Sequence, residues 1–441
     1  DRTLQALKKI VLKGSEIRPL IMAIEDLHWM DRSSEDALKE LLESISGSKI
    51  FLIFTYRSEF VHTWGSRSYH SQITLNRLSN RESLAMVSHL LNTTDIDKDI
   101  EDLVLSKTEG IPFFIEEFIK SIKDLKIIEK RNGSYRLSKD IQRVTIPSTL
   151  QDVIMARVDS LPEAAKEVLQ TGSVIEREFS YPLIKRVTGL PEQELLSHLS
   201  LLKDGELLYE RGIYPNSSYV FRHALTREVV YDSMLSKKRT KRHEEIANAI
   251  EELNKDNLRE HFEMLAEHYA LGENYSKGAE YSRLASRKAE KIASLTDAIA
   301  FARKRVSCIE RLPRSDEVER QIIDARVLLG LYLFQMYYHV DAMQAVEPVF
   351  DLARKHKYRK RLAQMYVISG SYSYMVQDDY PGAFRALQDA LRIAEEVNDV
   401  LTAVVANYAF GAALAFNCEF DKGADCFQQT LNINLAVNNL W

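Results

Sequence analysis

The sequence predicts a multidomain, mainly α-helical chain with a small parallel α/β portion and an array of helical repeats. Three observations predict this fold class. The chain has 441 residues, which is too long for one hydrophobic core. Two apolar runs of strand length lie on either side of an amphipathic helical pattern. Near the other end, small residues recur 41 residues apart.

Composition and charge exclude several classes of function. Apolar residues make up 45% of the chain and charged residues 28%, which is typical of a globular protein. The formal net charge is −5. This charge gives no overall attraction to nucleic acid or to an acidic membrane. The apolar window at 327–340 is too short to span a bilayer. Three cysteines without metal-binding spacing suit a reducing cytoplasm, so we expect a cytoplasmic protein without a membrane partner.

The first predicted element is a strand, helix, strand unit. Residues 20–25 and 50–55 are continuous apolar runs, typical of strands that are covered on both faces of a parallel sheet. Either Asp31 or Ser33 can cap the intervening helix. One face of that helix is apolar and consists of Ala37, Leu38, Leu41, Leu42 and Ile45.

The middle of the chain is mostly helical. Residues 80–130 have helical patterns interrupted by the turn "EGIP" at 109–112, and the polar stretch 129–140 ends this segment. Residues 148–210 contain three short helical patterns, followed by two strand-like runs, "ELLYERG" and "SYVFRHA". Three helices and a hairpin in this order predict a winged helix.

The last part of the chain predicts helical hairpins that bury one another's faces. Small or apolar residues recur there with a spacing of 41: Ala342, Ala383 and Ala424; Ala345, Ala386 and Phe427; Val349, Ala390 and Leu431; Gly370 and Gly411.

Polar residues follow both predicted strands. Glu25 and Asp26 end the first apolar run, and Arg57 follows the second. Ligands of open α/β sheets bind beyond the carboxyl ends of the strands, where two acids can hold Mg²⁺ and orient a water. The alternative is that these residues leave the sheet, cap the next helix or contact solvent.

Four motifs together resemble the signal-transduction ATPases with numerous domains, the STAND class of AAA-related P-loop NTPases. They are "PLIMAIEDLHWMD", "IFLIFTYRSEF", "TEGIPFFIEEFIKSI" and "YVFRHALTREVVYDSML", in this order. The chain is most similar to the predicted ATPase module of bacterial regulators that also contain adenylate cyclase, protein kinase or transcription-factor domains and tetratricopeptide repeats. The resemblance covers roughly residues 18–440.

The resemblance implies ATP or ADP and Mg²⁺ as cofactors and a role for each matching residue. Glu25 and Asp26 match the Walker B acids, with Glu25 as the Mg²⁺ partner and Asp26 as the acid that polarises water. Arg57 matches the sensor arginine at the γ-phosphate, and Pro112 a proline near the adenine. His223 matches the winged-helix histidine at the β-phosphate of ADP.

One motif of the family is missing. The phosphate-binding Walker A loop, G-x-x-x-x-G-K-[ST], does not occur in the 441 residues. We therefore expect this sequence to be a piece of a longer protein, in which the loop lies upstream. The piece alone is expected to be inactive, although the parent is expected to be an ATPase.

The resemblance also implies four domains and their partners. The domains are the distal half of an ATPase core at 1–75, a helical lid at 76–144, a winged helix at 145–255 and tetratricopeptide-like repeats at 256–441. The implied partners are a cyclase, kinase or transcription-factor effector domain, a protein or small ligand at the repeats, and further copies of the protein through self-assembly.

Two rival functions follow from the same residues. A winged helix can bind DNA, but its third helix would place Glu192, Glu194 and Asp204 against the phosphate backbone. The basic cluster at 237–243 is interpreted as a solvated helix face, so nucleic-acid binding is not expected. The alternative from another class is a non-catalytic tetratricopeptide scaffold for protein–protein interaction.

Overall fold

The chain divides into two compact units, Asp1–Asn76 and Arg77–Trp441, and each is described by itself. The parts of the chain that the computed structural model describes are residues 2–57, 59–65, 69–131, 134–137 and 149–436. Within them the chain is mainly helical with three small sheets, which confirms the mainly α-helical class. The predicted boundary between residues 144 and 145 lies outside the described residues, and the four domains stay a prediction.

The first unit contains a two-stranded parallel sheet. Its elements are α1 (Arg2–Ile17), β1 (Leu20–Ile24), a 3-10 turn (Leu27–Trp29), α2 (Arg32–Ser44) and β2 (Ile50–Phe54). The strands pair in parallel, from Leu20 opposite Ile50 to Ile24 opposite Phe54. The strand, helix, strand unit is therefore confirmed. Helix α1 is not among the predicted elements, and the assignment to a P-loop core stays a prediction.

Asp31 caps helix α2. Its carboxylate accepts hydrogen bonds from the Ser34 backbone N–H at 2.8 Å and from the Ser34 hydroxyl at 3.0 Å. These bonds to the ionised form hold the pKa of Asp31 below its usual value. Of the two predicted caps, Asp31 is the one that the structure uses. Four of the five predicted apolar positions of α2 are buried, namely Leu38, Leu41, Leu42 and Ile45.

The sheet of the first unit is covered on one face, so the expectation of two covered faces is wrong. Ile21 is 69% exposed, Phe51 62% and Ile53 42%. The alternate residues of both strands pack into one core, to which α1 and α2 both contribute. Since both helices add to the same core, no described element of this unit covers the other face.

The second unit begins with three helices and a hairpin that share one core. They are α3 (Asn80–Leu91), α4 (Lys98–Thr108), α5 (Pro112–Asp124) and the antiparallel strands β3 (Ile128–Arg131) and β4 (Ser134–Leu137). The sequence interpretation of 129–140 as a polar end to the segment is wrong at 129–131 and 134–137, which lie in strands. A two-stranded ribbon needs few apolar residues, because most of its surface remains in solvent.

A second core of this unit lies around a three-stranded antiparallel sheet of order β5-β7-β6. The elements are α6 (Leu150–Asp159), α7 (Glu163–Ile175), β5 (Glu178–Ser180), α8 (Tyr181–Thr188), α9 (Glu192–Asp204), β6 (Leu208–Arg211), β7 (Ser218–Phe221) and α10 (Ala224–Asp232). The hairpin of β6 and β7 agrees with the two strand-like runs that the sequence predicts. The structure has four helices where three are predicted. The additional helix is α8, which begins directly after β5 and is too short to show a long helical pattern of apolar residues.

The rest of the second unit is a succession of helices, most of which pack on the next helix in the chain, while α16 and α17 both pack on α18. They are α11 (Ser236–Leu253), α12 (Phe262–Leu271), α13 (Tyr275–Lys291), α14 (Leu295–Ile309), α15 (Asp316–Gln335), α16 (His339–Val346), α17 (Phe350–Lys355), α18 (Arg359–Val376), α19 (Tyr380–Glu396), α20 (Val400–Phe416) and α21 (Phe420–Ala436). The apolar window at 327–340 lies mostly in α15. Among the described helices, none has the length and apolarity that a membrane span requires.

Glycines set the close approach of the repeat helices. A Cβ atom on Gly370 would lie 2.6 Å from Leu387 Cγ, and one on Gly411 would lie 3.0 Å from Cys426 Cβ. Gly330, which the repeat pattern did not include, would meet Val346 Cγ1 at 2.6 Å. The glycines are therefore contact points between paired helices.

The predicted repeat is wrong in its third unit. Ala342 and Ala383 are fully buried, but Ala424 is exposed, and the neighbouring Gly423 is buried in its place. Phe427 is 37% and Leu431 51% exposed. Both lie on α21, the last described helix, and no later described helix covers it.

Most turns between repeat helices share one conformation. A non-glycine residue with positive φ lies in seven of them, at Glu273, Ala293, Tyr337, Lys357, Asp378, Asn398 and Cys418. From Tyr337 onward these residues are 20 or 21 positions apart. In several turns the next N–H bonds back five residues, as from Tyr358 to the Ala353 carbonyl at 2.9 Å. This is the bonding of a Schellman motif.

We predict that Gly370→Ala destabilises the repeats by about 1–3 kcal/mol, because the added methyl group overlaps Leu387 in a packed core. The measurement is urea unfolding followed by circular dichroism. Gly14→Ala on α1 is the control, since a Cβ atom added at Gly14 would meet no neighbouring atom within 4 Å. An unchanged unfolding midpoint for Gly370→Ala would contradict the close-approach role.

Candidate functional site

The carboxyl ends of β1 and β2 bring Glu25, Asp26 and Arg57 to one edge of the sheet of the first unit. Asp26 has a left-handed backbone, with φ of 57°. Its N–H donates to Thr55 Oγ1 at 3.0 Å, and the Leu27 N–H donates to the Thr55 carbonyl at 2.9 Å. These bonds join the end of β1 to the end of β2. The left-handed conformation of Asp26 turns the chain out of the sheet at the second of the two acids.

Arg57 faces this turn from the second strand. Its guanidinium carbon lies 5.9 Å from the centre of the Trp29 ring, within the range of a cation–π contact. Trp29 also lies against His28, with ring centres 4.8 Å apart. Glu25 and Arg57 are exposed and Asp26 is half-buried. The edge therefore presents carboxylates and a guanidinium to solvent.

The residues at this edge fit part of a Mg²⁺–nucleotide site. Mg²⁺ is commonly held by one or two carboxylates together with phosphates and water, and an arginine can bind a phosphate through two hydrogen bonds. A cradle of backbone donors around the phosphates is a separate requirement, and its sequence motif is missing from these 441 residues. The edge supplies the acids and the arginine only.

Pro112 and His223, the other two predicted residues, lie near each other in the second unit. Pro112 is the first residue of α5, the position where its missing N–H costs no hydrogen bond. The next residue, Phe113, packs on the His223 ring, with ring centres 3.9 Å apart. His223 lies between β7 and α10 and is the residue before the helix. Partial burial lowers the pKa of His223 and favours the neutral imidazole.

A buried ion pair next to His223 was missed by sequence reasoning. Glu117 on α5 is 1% exposed, and its Oε2 accepts a hydrogen bond from Arg157 on α6. Arg157 is also buried, and it donates a second bond to the Gly205 carbonyl after α9. The only hint in the sequence is the charged pair inside the apolar run "PFFIEEFIKSI".

The basic cluster at 237–243 lies within α11, and several of its cations have partners. Lys238 Nζ lies 3.3 Å from a Glu167 carboxylate oxygen and 3.0 Å from Gln170 Oε1. Arg239 pairs with Asp232 at 3.2 Å. These contacts favour a structural role for the cluster over nucleic-acid binding.

Comparisons with known proteins give distant similarities. No protein-family model matches the chain. An uncharacterized protein of Rhizobium meliloti (strain 1021) is 24% identical over 258 residues, which are 56% of this chain and 23% of that protein. The chain therefore spans less than a quarter of that relative's length.

Among solved structures, the chain is similar to a signal transduction ATPase with numerous domains that has a tetratricopeptide repeat sensor, from Pyrococcus horikoshii. The match covers 98% of this chain and 65% of that chain, with a TM-score of 0.40 and 14% sequence identity. A similarity at this TM-score supports no inference about function.

We predict that Arg157→Leu destabilises the second unit by about 3–5 kcal/mol, because it leaves the buried Glu117 carboxylate without its counter-ion. The double variant Glu117→Leu/Arg157→Leu is expected to lose less, since it buries no charge. Thermal unfolding of Arg157→Leu, Glu117→Leu and the double variant checks this. A double variant whose loss of stability equals the sum of the losses in the two single variants would contradict the coupling.

Proposed function

We propose that this chain is part of an ATP-dependent signal-transduction switch. In a protein that joins it to a phosphate-binding loop, Glu25 would hold Mg²⁺, Asp26 would polarise the attacking water and Arg57 would bind the γ-phosphate. Pro112 and His223 would contact the adenine and the β-phosphate. The nucleotide supplies the bond that is cleaved and the difference between the ATP and ADP states.

One observation supports this proposal above the others. Two acids and an arginine follow neighbouring parallel strands, and the Asp26–Thr55 hydrogen bond joins the two strand ends. Phosphoryl transfer depends on positioning and on stabilisation of negative charge, which these residue types provide. The helix-capping alternative applies to Asp31, whose carboxylate bonds to the start of α2.

The switch itself would depend on a difference in affinity. ATP would favour an assembly-competent state and ADP a closed one, because the γ-phosphate adds a contact that only ATP can make. A ligand or protein bound at the repeats would bias the same equilibrium, and the attached effector domain would respond to it. Hydrolysis would reset the switch.

The chain of residues 1–441 alone is expected to show no tight binding of Mg·ATP and no appreciable hydrolysis, because its sequence lacks the phosphate-binding motif. Isothermal titration calorimetry with Mg·ATP measures this directly. Tight binding by the chain alone would mean that the phosphates are held by residues other than those proposed.

In a protein that contains the phosphate-binding loop, Asp26→Asn is expected to leave nucleotide bound and to slow hydrolysis about 100-fold or more, since a positioned base contributes at least this factor. Phosphate release under single-turnover conditions is the measurement. Asp36→Asn, at an exposed position on α2, is the control. Unchanged turnover in Asp26→Asn would remove Asp26 from the catalytic role.

In the same protein, Arg57→Ala is expected to weaken ATP about tenfold while ADP affinity changes little, because a charged hydrogen bond to the γ-phosphate is worth about 1.5–3 kcal/mol. Competition binding of both nucleotides provides the ratio. Arg18→Ala, an exposed arginine at the amino edge of the sheet, is the matched control. Equal ATP to ADP ratios in Arg57→Ala and wild type would count against the sensor role.

A scaffold function is the second candidate, and the repeats supply the observation that favours it. Several aromatic side chains on or between the repeat helices are exposed, among them Tyr337 at 76%, Tyr408 at 54%, Phe416 at 61% and Phe420 at 66%. Aromatic residues are enriched where proteins bind one another. Signalling that persists unchanged in Asp26→Asn would favour the scaffold over the switch.

A further inference from the structure

Two buried polar atoms near the start of α10 have no hydrogen-bond partner among the described residues. They are Oε1 of Glu117 and Nε2 of His223. Glu117 is 1% exposed, and only its other oxygen is bonded, to Arg157. A buried carboxylate oxygen without a hydrogen bond costs free energy that a nearby ligand can recover. Such atoms in a folded protein are candidates for an unrecognised ion contact.

Glu116, Glu117 and His223 converge. Each offers one ligand atom, and these three atoms lie within 4.8 Å of one another. Glu116 and Glu117 are neighbours on α5, and His223 is the residue before α10. The Phe113–His223 contact fixes the imidazole against α5, and Arg157 fixes the Glu117 carboxylate. His223 and Glu117 are therefore positioned before any ion binds.

The cations around this group have other counter-ions. Lys120 Nζ lies 2.7 Å from Glu116 Oε1 and 3.6 Å from Glu117 Oε1, and it also contacts Glu206. Arg222 lies 3.6 Å from Glu116 and 3.3 Å from Glu206. Because Glu206 can retain both cations, Glu116 can turn to another partner without leaving either cation unpaired.

We propose that Glu116, Glu117 and His223 form a binding site for a divalent transition-metal ion of the Zn²⁺ class. One imidazole and two carboxylates are a nitrogen and oxygen ligand set that Zn²⁺ accepts at a three-residue site. The imidazole favours such ions over Mg²⁺ and Ca²⁺, which prefer oxygen ligands alone. The Glu116 side chain is 21% exposed and gives the ion a route from solvent.

A second group of two carboxylates and a histidine differs from this site in that two of its residues already hydrogen-bond to each other. Asp316, Glu319 and His356 also place their ligand atoms within 4.8 Å of one another. There, Glu319 Oε2 already binds His356 Nε2 at 2.6 Å and Lys355 Nζ at 2.7 Å. Neither Glu319 nor His356 provides an orphaned buried atom, so this group serves as a matched control.

This inference does not rest on the proposed nucleotide switch, although His223 belongs to both proposals. It concerns binding of the metal alone by residues 1–441, and Glu116 and Glu117 have no role in the proposed nucleotide site. Failure of metal binding would leave the roles of Glu25, Asp26 and Arg57 unaffected. Failure of nucleotide binding would leave the metal site unaffected.

The test is calorimetric titration of chelator-treated protein with ZnCl₂, supported by the visible spectrum after Co²⁺ is added. We expect one tight site that His223→Ala and Glu117→Gln weaken about 100-fold or more, since losing even a second-shell contact costs 10–100-fold. His356→Ala is expected to retain this site. Co²⁺ should give the absorption of a low-coordinate nitrogen and oxygen site in wild type and lose it in His223→Ala.

Two results would overturn the proposal. One is the absence of a tight Zn²⁺ site in wild type, and the other is equal affinity in wild type, His223→Ala and Glu117→Gln. Circular dichroism checks that each variant folds. If the buried variants fail to fold, Glu116→Gln decides, because Glu116 is more exposed than Glu117. Unchanged Zn²⁺ affinity in Glu116→Gln would then reject the site.

Discussion

The buried ion pair between Glu117 and Arg157 is the contact on which the neighbourhood of His223 depends. It joins α5, from the first core of the second unit, to α6, which precedes the β5-β7-β6 sheet. Arg157 also binds the carbonyl of Gly205 at the end of α9. One guanidinium thereby fixes three helices relative to one another. Since α5 also bears Pro112 and Phe113, the same contact sets where His223 packs.

Joining helices through a buried ion pair costs free energy of desolvation. Apolar residues of similar volume would often hold the same elements at least as well, because no ions would have to leave water. The pair does, however, select one arrangement, since any slip of α5 against α6 separates the two charges. We infer that its value lies in geometric specificity, which a nucleotide or metal site at His223 would require.

The sequence predicts secondary structure best where a regular spacing of apolar residues determines it. The runs at 20–25 and 50–55 predict β1 and β2, and the spacing of Leu38, Leu41 and Leu42 predicts α2. The polar residues after each strand predict the shared edge, because parallel strands end on the same side. The left-handed turn at Asp26 and its bond to Thr55 depend on tertiary contacts, which local patterns do not encode.

Other features follow from long-range packing and were not predictable. Whether Ile21 and Phe51 are covered depends on where the helices lie, which the apolar run does not specify. The Glu117–Arg157 pair joins residues 40 positions apart. Strand β5 has three residues, too few to show a period. The repeat spacing failed at Ala424, because a shift by one residue leaves a pattern of small residues looking unchanged.

The shared turn conformation of the repeats has a consequence for how this part of the chain can change in evolution. Left-handed residues such as Lys357 and Asn398 lie in equivalent turns, so the chain enters the helices that follow these turns with the same geometry. Cutting out or duplicating the segment between two such turns would join ends that already match. Array length is therefore a modular property, adjustable by unequal recombination without redesign of the helices on either side.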